Sequence, residues 1–390
     1  MKKQILSYLS LGQICDVQSG GTPSRHINAY WEKGNIPWVK ISDIKGKHLL
    51  GTDEYITRQG LENSSAKIFP KGTILYTIFA TLGETTILNI DAATNQAIAG
   101  INIHDQYKKI ILTDYLYYYL LSIKDIMCKV GRGVAQNNLN LKILRNVQVP
   151  VPTIEEQKKI IDTLSSIEKI MLVKDRQLSL LSNLVKSRFL EMFGHSDRPK
   201  VRLGECCIIN PKKSSDIRLV DNDLMVSFVS MSDVSEDGRI VTCNHKQYES
   251  VKSGFTYFSE NDVLFAKITP CMENGKGGIA KGLLNGIGFG STEFHVLRPV
   301  DQVSNSCWLY ELTSFPQFRQ AAEINMTGSA GQRRVPASFL ANYKVSLPPI
   351  SLQNQFADFV HQLDKSKMAI QKSLDELETL KKSLMQTYFG

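Results

Sequence analysis

Two stretches of the sequence combine glycine with side chains able to read a base edge. GRGVAQNNLN (131–140) carries Arg132, Gln136, Asn137 and Asn138, and TGSAGQRRVP (327–336) carries Gln332, Arg333 and Arg334. A guanidinium can pair with O6 and N7 of guanine through two hydrogen bonds, and a carboxamide with N6 and N7 of adenine. The same residues would also suit a polar loop that docks a domain on the element following it. A third region, SGGTPSRHINAYW (19–31) with PWVKISD (37–43), sets Arg25 and Lys40 beside Trp31 and Trp38. The two cations are candidates for phosphate or base contact, whereas the tryptophans are expected in the core.

Signatures of catalysis are missing from the sequence. It contains no GxxxxGK[ST] phosphate loop and no Asn/Asp/Ser-Pro-Pro-Tyr/Phe pocket of an amino-methyltransferase. ENGKGG (273–278) is glycine-rich but sits among turn residues and reads as a turn. Glu156-Gln157-Lys158 has the spacing of a nuclease metal site, yet it falls on the first turn of an expected helix without a partner acid on a preceding strand. The seven histidines are scattered, and the seven cysteines form no CxxC pair and no zinc-like spacing. Reduced, buried thiols in a cytoplasmic protein are expected. The pattern points to a binding protein without catalytic, metal or cofactor residues of its own.

The elements that would position these residues are written twice. Residues 131–194 align on 327–390 without a gap, with sixteen of 64 positions identical. Among the identities are Gln136/Gln332, Asn146/Asn342, Pro152/Pro348, Gln157/Gln353 and the closing Phe193-Gly194 and Phe389-Gly390. Upstream, Leu11-Gly12 faces Leu203-Gly204, and FPKGTILY (69–76) faces FSENDVLF (258–265). The chain is therefore two copies of one unit, each a globular part followed by a run of roughly 40 residues.

Each run has the period of a coiled-coil seam. In the first, positions 160, 164, 167, 171, 174, 178, 181, 185, 188 and 192 are apolar at eight of ten places, and the equivalent positions from Phe356 to Tyr388 repeat that count. Ile160, Leu164, Ile167, Leu178 and Leu181, with Phe356, Val360, Leu363, Leu374 and Leu377, are the candidate seam and partner-docking residues. Thr153 and Glu156 form a capping box that starts the first helix; the second copy has Pro349 and Leu352 there. Each helix would be roughly 55–60 Å long. The simplest way to cover both stripes is to pack the helices on each other, although each could instead lie against its own domain.

The globular parts mix strand and helix signals. GTILYTI (72–78) and DVLFAKI (262–268) read as strands; TDYLYYYLLSIKDIM (113–127) and SCWLYELTSFPQFRQAAE (306–323) read as helices, the latter broken at Pro316. At 390 residues and 42% hydrophobic content there is material for more than one core. No apolar stretch approaches the length of a membrane span, and the first residues lack the apolar core of a signal peptide. Of the net charge of +8, most comes from residues 1–152, which hold 17 basic and 11 acidic side chains, a weak bias toward a polyanion. Two related but different readers on a rigid helical spacer suit duplex DNA with two different half-sites.

The combination of SGGTPSR…YW…IPWVKISDI, GVAQNNL…VPVPTIEEQKKI, its diverged copy GSAGQRRV…VSLPPISLQNQF and the doubled layout resembles the specificity subunits of Type I restriction–modification systems over essentially the whole chain. LGECCIINPKKSS (203–215) departs from the glycine-rich pattern of the first copy. The resemblance implies an α+β fold with two similar mixed α/β target recognition domains. Two long helices would separate them, pairing as an antiparallel coiled coil with a pseudo-twofold internal repeat. The expected boundaries are 1–150 and 195–346 for the domains and 151–194 and 347–390 for the helices. It further implies a non-catalytic chain that binds double-stranded DNA, docks two methyltransferase subunits and, with them, restriction subunits. S-adenosylmethionine, ATP and Mg2+ would belong to those partners. A stand-alone methyltransferase or nuclease, and a coiled-coil scaffold without DNA affinity, are the alternatives.

Overall fold

The computed structural model describes residues 5–132, 139–194, 199–216, 218–219, 223–236, 238, 240, 244–329 and 331–390. The chain divides into two compact units, residues 1–174 with 372–390 and residues 175–371, so that each long helix is shared between them at its middle.

In the first unit, a five-stranded sheet runs in the order Cys15–Ser19, Ile98–Ile103, Ile74–Thr77, Thr85–Leu88, His48–Leu49. Beside it is a smaller sheet ordered Tyr55–Ile56, Ile36–Val39, Ala92–Thr94, Ile68–Phe69, with a parallel central pair. The second unit repeats the smaller sheet and the first four strands of the larger one. Its larger sheet is ordered Cys207–Ile209, Phe294–Pro299, Val263–Ala266, Gly277–Ile279. Its smaller one is ordered Asn244–Gln247, Met225–Val229, Ile287–Gly290, Thr256–Ser259, again with a parallel central pair. The expected strands fall at Ile74–Thr77 and Val263–Ala266. The expected helices become Thr113–Ser122 with Lys124–Arg132, and Ser306–Ser314 with Pro316–Ile324. Proline sits at the first helical position of the last, where its missing N–H costs nothing.

A two-stranded pair leads into each long helix: Ile5–Ser10 with Gln148–Pro152, and Lys200–Arg202 with Lys344–Ser346. The first long helix is Ile154–Phe193 and the second Ile350–Phe389. The capping box is present, with Glu156 N donating to Thr153 Oγ1 at 3.2 Å and Thr153 N to Glu156 Oε2 at 3.3 Å.

The helices run antiparallel, and each unit contains the start of one and the end of the other. In the first unit Ile160, Leu164 and Ile167 are buried, and Ile160 and Leu164 join Tyr115, Tyr118 and Leu120 in the main core, with Leu384, Tyr388 and Phe389 packed against it. Phe389 meets Tyr115 with ring centroids 5.5 Å apart. In the second unit Val185, Phe189 and Phe193 are buried with Phe356, while Phe359, Val360 and Leu363 flank them. Phe193 lies 5.3 Å from Phe356, ring to ring. The repeated Phe-Gly ending thus supplies an aromatic plug to each unit.

None of the twenty seam positions is exposed. Leu178, Leu181, Val360, Leu363 and Leu377 are half-buried along the stripe, and Leu374 is buried. The charged seam positions are accommodated singly. Lys381 Nζ pairs with Glu168 at 2.7 Å, and Tyr118 Oη donates to the same carboxylate at 2.7 Å. Arg188 lies over the Phe359 ring at 5.9 Å. One expectation needs correction. Ile160, Leu164, Ile167, Phe356 and Leu374 are between 0% and 6% exposed, so they are core and seam residues of this chain, inaccessible to a separate subunit. The alternatives of helix-on-helix and helix-on-domain packing are also not exclusive, because the stripes do both.

Candidate nucleic-acid interface

The SGG segment folds as a loop tied to both sheets of the first unit, to the start of strand Ile98–Ile103 in the larger and the end of strand Ala92–Thr94 in the smaller. Gly20 N donates to Ile98 O at 3.0 Å and Gly21 N to Thr94 O at 2.9 Å. A Cβ on Gly20 would stand 2.3 Å from the Thr94 carbonyl oxygen, so no other residue fits. Both tryptophans hold the loop through their indole N–H groups: Trp38 Nε1 donates to Gly21 O at 3.0 Å, and Trp31 Nε1 to Ser24 O at 3.1 Å. Trp38 is 3% exposed, a core residue as its type suggests.

Arg25 leaves this loop and lays its guanidinium over Trp31, 3.6 Å from the ring centroid and 4.9 Å from that of Trp38. The rings stand edge to face, 5.0 Å apart at 89°. Arg25 Nη2 also meets Glu54 Oε2 at 2.5 Å, and Lys40 Nζ meets Glu54 Oε1 at 2.8 Å. The structure therefore brings Arg25 and Lys40 together on one carboxylate. The Lys40 hydrogen bond, aided by Arg25, holds the Glu54 carboxyl below its usual range, and Glu54 in turn raises Lys40. Lys40 N is tied to Asp43 Oδ2 at 3.0 Å, which also accepts from Thr52 Oγ1 at 2.8 Å. The two cations share Glu54, and Asp43 and Asp53 also act on Lys40. The guanidinium carbon lies over the Trp31 ring at cation–π distance, a contact Arg makes more readily than Lys.

Sequence reasoning found this cluster but missed Glu54, which lies 29 residues from Arg25 without a local signal. It also missed the equivalent strand of the second half. WVKISD (38–43) corresponds in the sheet to FVSMSD (228–233), with Trp38 and Phe228 each beside the parallel central strand. Ser230 N donates to Asp233 Oδ2 at 2.7 Å, repeating the bond between Lys40 and Asp43. Aligned against SGGTPSR the match is invisible; only the sheet register reveals it.

The paired loops before the long helices divide differently. Arg132 ends the helix Lys124–Arg132, and Gln136, Asn137 and Asn138 lie outside the described residues. In the second half, Thr327 and Arg334 exchange backbone bonds of 2.9 and 2.8 Å, and Gln332 N donates to Ser329 O at 3.0 Å. Gly328 at φ +122° allows the turn. Both loops dock on the same strand end of their own unit, through Leu139 N to Ile78 O at 2.8 Å and Val335 N to Lys267 O at 2.9 Å. Among the described residues, Leu139 and Val335 thus fasten these stretches to their own domains.

Arg334 is engaged within the protein. Its Nη2 and Nε donate to Glu293 at 2.7 and 2.9 Å, a two-pronged pair that lowers the Glu293 pKa. The fork that would grip guanine is already filled. Arg333 makes only a loose pair, 3.9 Å from Glu323, and its side chain is 40% exposed. His295 is 5% exposed, with Nε2 2.8 Å from Val335 O, and burial lowers its pKa. Burial pushes the Cys15 and Cys207 thiols up to about 12, which makes them poor nucleophiles. Among the described residues no group of three His, Cys, Asp or Glu side chains could hold a metal ion, and no helix is long and apolar enough to cross a membrane.

A family model described as Type I restriction modification DNA specificity domain matches residues 7–181 and again 196–380. The chain is 36% identical over 197 residues to the Type I restriction enzyme EcoEI specificity subunit of Escherichia coli, covering 48% of this chain and 32% of that one. It is 38% identical over 189 residues to the EcoAI specificity subunit of the same organism, covering 46% and 31%. These matches span about a third of the length of either relative. The MjaVIII specificity subunit of Methanocaldococcus jannaschii is 21% identical over 392 residues, covering 90% and 88%. Among solved structures, one concerning complex assembly and conformational transition of the type I R-M system aligns with TM-score 0.58 at 17% identity, covering 98% of this chain and 97% of the other. The Type I restriction-modification system S subunit from M. genitalium aligns with TM-score 0.53 at 12% identity, covering 100% and 98%. Both likenesses concern the fold.

Proposed function

The chain belongs to the Type I restriction modification DNA specificity domain family, and from that premise we propose that it is the DNA sequence-recognition subunit of a type I restriction–modification complex. Each half reads one part of a bipartite, asymmetric DNA site. The domains span residues 1–150 and 195–346, and the helical segments 151–194 and 347–390 dock two methyltransferase subunits and, through them, restriction subunits. The chain itself is not an enzyme; S-adenosylmethionine, ATP and Mg2+ serve the partners, and the complex works in the cytoplasm.

The observation that carries this reading is the doubled small sheet. Both halves keep the same strand order and parallel centre, while the side chains mounted on them differ, Trp38-Val39-Lys40 against Phe228-Val229-Ser230. A shared frame with different surface chemistry is what two readers of unlike half-sites require. In the first half Arg25 and Lys40 are the contacts. In the paired loops Arg132, Gln136, Asn137, Asn138, Gln332 and Arg333 are candidates, and Arg334 serves to hold its loop on Glu293.

The test is an exchange of halves. Residues 195–346 are replaced by the corresponding part of another specificity subunit, and the methylated motif is determined with the methyltransferase partner present. One half of the motif should change and the other persist. A motif altered in both halves, or in neither, would refute the assignment of one reader to each half.

A further inference from the structure

The second half lacks the SGGTPSR loop, yet its small sheet carries a construction related to the Arg25 cluster, a cation over two crossed aromatic rings. Phe228, the counterpart of Trp38, stands edge to face with Phe255, the centroids 5.0 Å apart at 88°. Lys246 places its ammonium 3.6 Å from the Phe228 centroid and 5.8 Å from that of Phe255. In the first half Trp31 and Trp38 stand 5.0 Å apart at 89°, and the cation favours the other ring: Arg25 is 4.9 Å from Trp38, the counterpart of Phe228, and 3.6 Å from Trp31. The cation comes from a different place, the neighbouring strand Asn244–Gln247, where Lys246 is opposite Val226 and so on the same face as Phe228. Two unrelated sequences thus set a cation over a crossed aromatic pair, one ring of which, Trp38 or Phe228, is on the equivalent strand.

The electrostatics differ in one respect. Arg25 is paired with Glu54, whereas Lys246 has no ion pair among the described residues. Aromatic faces hold an ammonium without neutralising it, so Lys246 keeps its full charge, and it is half-buried rather than enclosed. Phe255 is 40% exposed, and Lys213 reaches the same turn by donating from Nζ to Lys252 O. An oriented, unpaired lysine beside an exposed ring matches a phosphodiester and its adjacent sugar; as a compact point charge it suits a phosphate better than a base edge.

We infer that Lys246, held over Phe228 and Phe255, is a phosphate contact of the second half to duplex DNA. The inference rests on the proposed reading of the small-sheet face as a DNA surface, and the experiment separates the two. The full chain, assembled with its methyltransferase subunits, is titrated with a duplex carrying its motif and with an unrelated duplex over a range of salt. Lys246→Met keeps the packing on the rings and removes the charge. It should weaken both duplexes alike, by roughly eightfold at 0.1 M salt, and flatten the salt slope by about 0.9, the counterion release of one phosphate. Lys246→Arg should restore both values. Wild-type affinity and slope in Lys246→Met, with Arg25→Ala weakened, would overturn this inference alone. Wild-type binding in both variants would overturn the reading of the sheet face as well. A changed second half-motif would overturn the assignment to phosphate.

Discussion

Gln157 and Gln353, equivalent residues of the repeat, make the same three hydrogen bonds. Gln157 Nε2 donates to Ile110 O at 2.7 Å and Pro152 O at 3.0 Å, while its Oε1 accepts from Leu112 N at 2.9 Å. Gln353 Nε2 donates to Val303 O and Pro348 O, both at 2.9 Å, and its Oε1 accepts from Asn305 N at 3.0 Å. Both side chains are fully buried. Each glutamine therefore fastens the first turn of a long helix to the loop before a domain helix in its own unit. A carboxamide has two donors and an acceptor on one planar group, and no other side chain of that length supplies both.

Gln157→Leu and Gln353→Leu should each be strongly destabilising, because buried carbonyls and an amide lose their partners at about 1–3 kcal/mol per orphaned group. Gln157→Glu should be no better, since an ionised carboxylate cannot donate to Ile110 O and Pro152 O. Thermal melting with hydrogen exchange at Leu112 or Asn305 is the check. Unchanged melting in the leucine variants would show that the hook contributes nothing.

Glu54 predicts a pH dependence. Lys40, first, and Arg25 hold its carboxyl below the usual value, so the folded state binds the proton more weakly than the unfolded chain. Its contribution to stability is complete above the unfolded value of about 4.3 and is lost as the pH falls through the lower folded value. Glu54→Gln should melt below wild type at neutral pH, with the gap closing in acid. The cluster is partly exposed, so the gap is also expected to shrink in high salt. A gap that widens in acid would contradict the ion-pair account.

Arg333 and Arg334 should separate cleanly. Arg334→Ala frees Glu293 and should lower the melting temperature while leaving the methylated motif unchanged. Arg333→Ala should leave melting unchanged and weaken binding to the specific site by about 1–3 kcal/mol if both prongs of its fork contact a base. Melting curves and methylation rates on the same preparations decide this. A motif change in Arg334→Ala would show that its bond to Glu293 is given up on DNA.

The long helices were legible because a seam repeats every three or four residues, and the pattern survives divergence of individual positions. Even its interruptions, such as Lys381 paired with Glu168, left the period readable. The strands at 74–77 and 263–266 were legible as apolar runs between turn residues. The site was legible only where its signal was local, in the glycines at 20 and 21 and the nearby Arg25. Glu54, Phe228 and Lys246 were not, because each meets its partners from segments remote in sequence. Burial of Ile160 and Phe356 was legible; that the domain cores would claim them, and so deny them to a separate subunit, depends on tertiary packing.

On the proposed function, this chain determines which DNA sequence its complex modifies. The most direct measurement is the methylome of cells that carry the methyltransferase partner, with and without this chain. With both present, one bipartite motif with two unlike halves should be methylated throughout the genome, and it should vanish when this chain is removed. An identical methylation pattern in its absence, or methylation by this chain without the partner, would contradict the account.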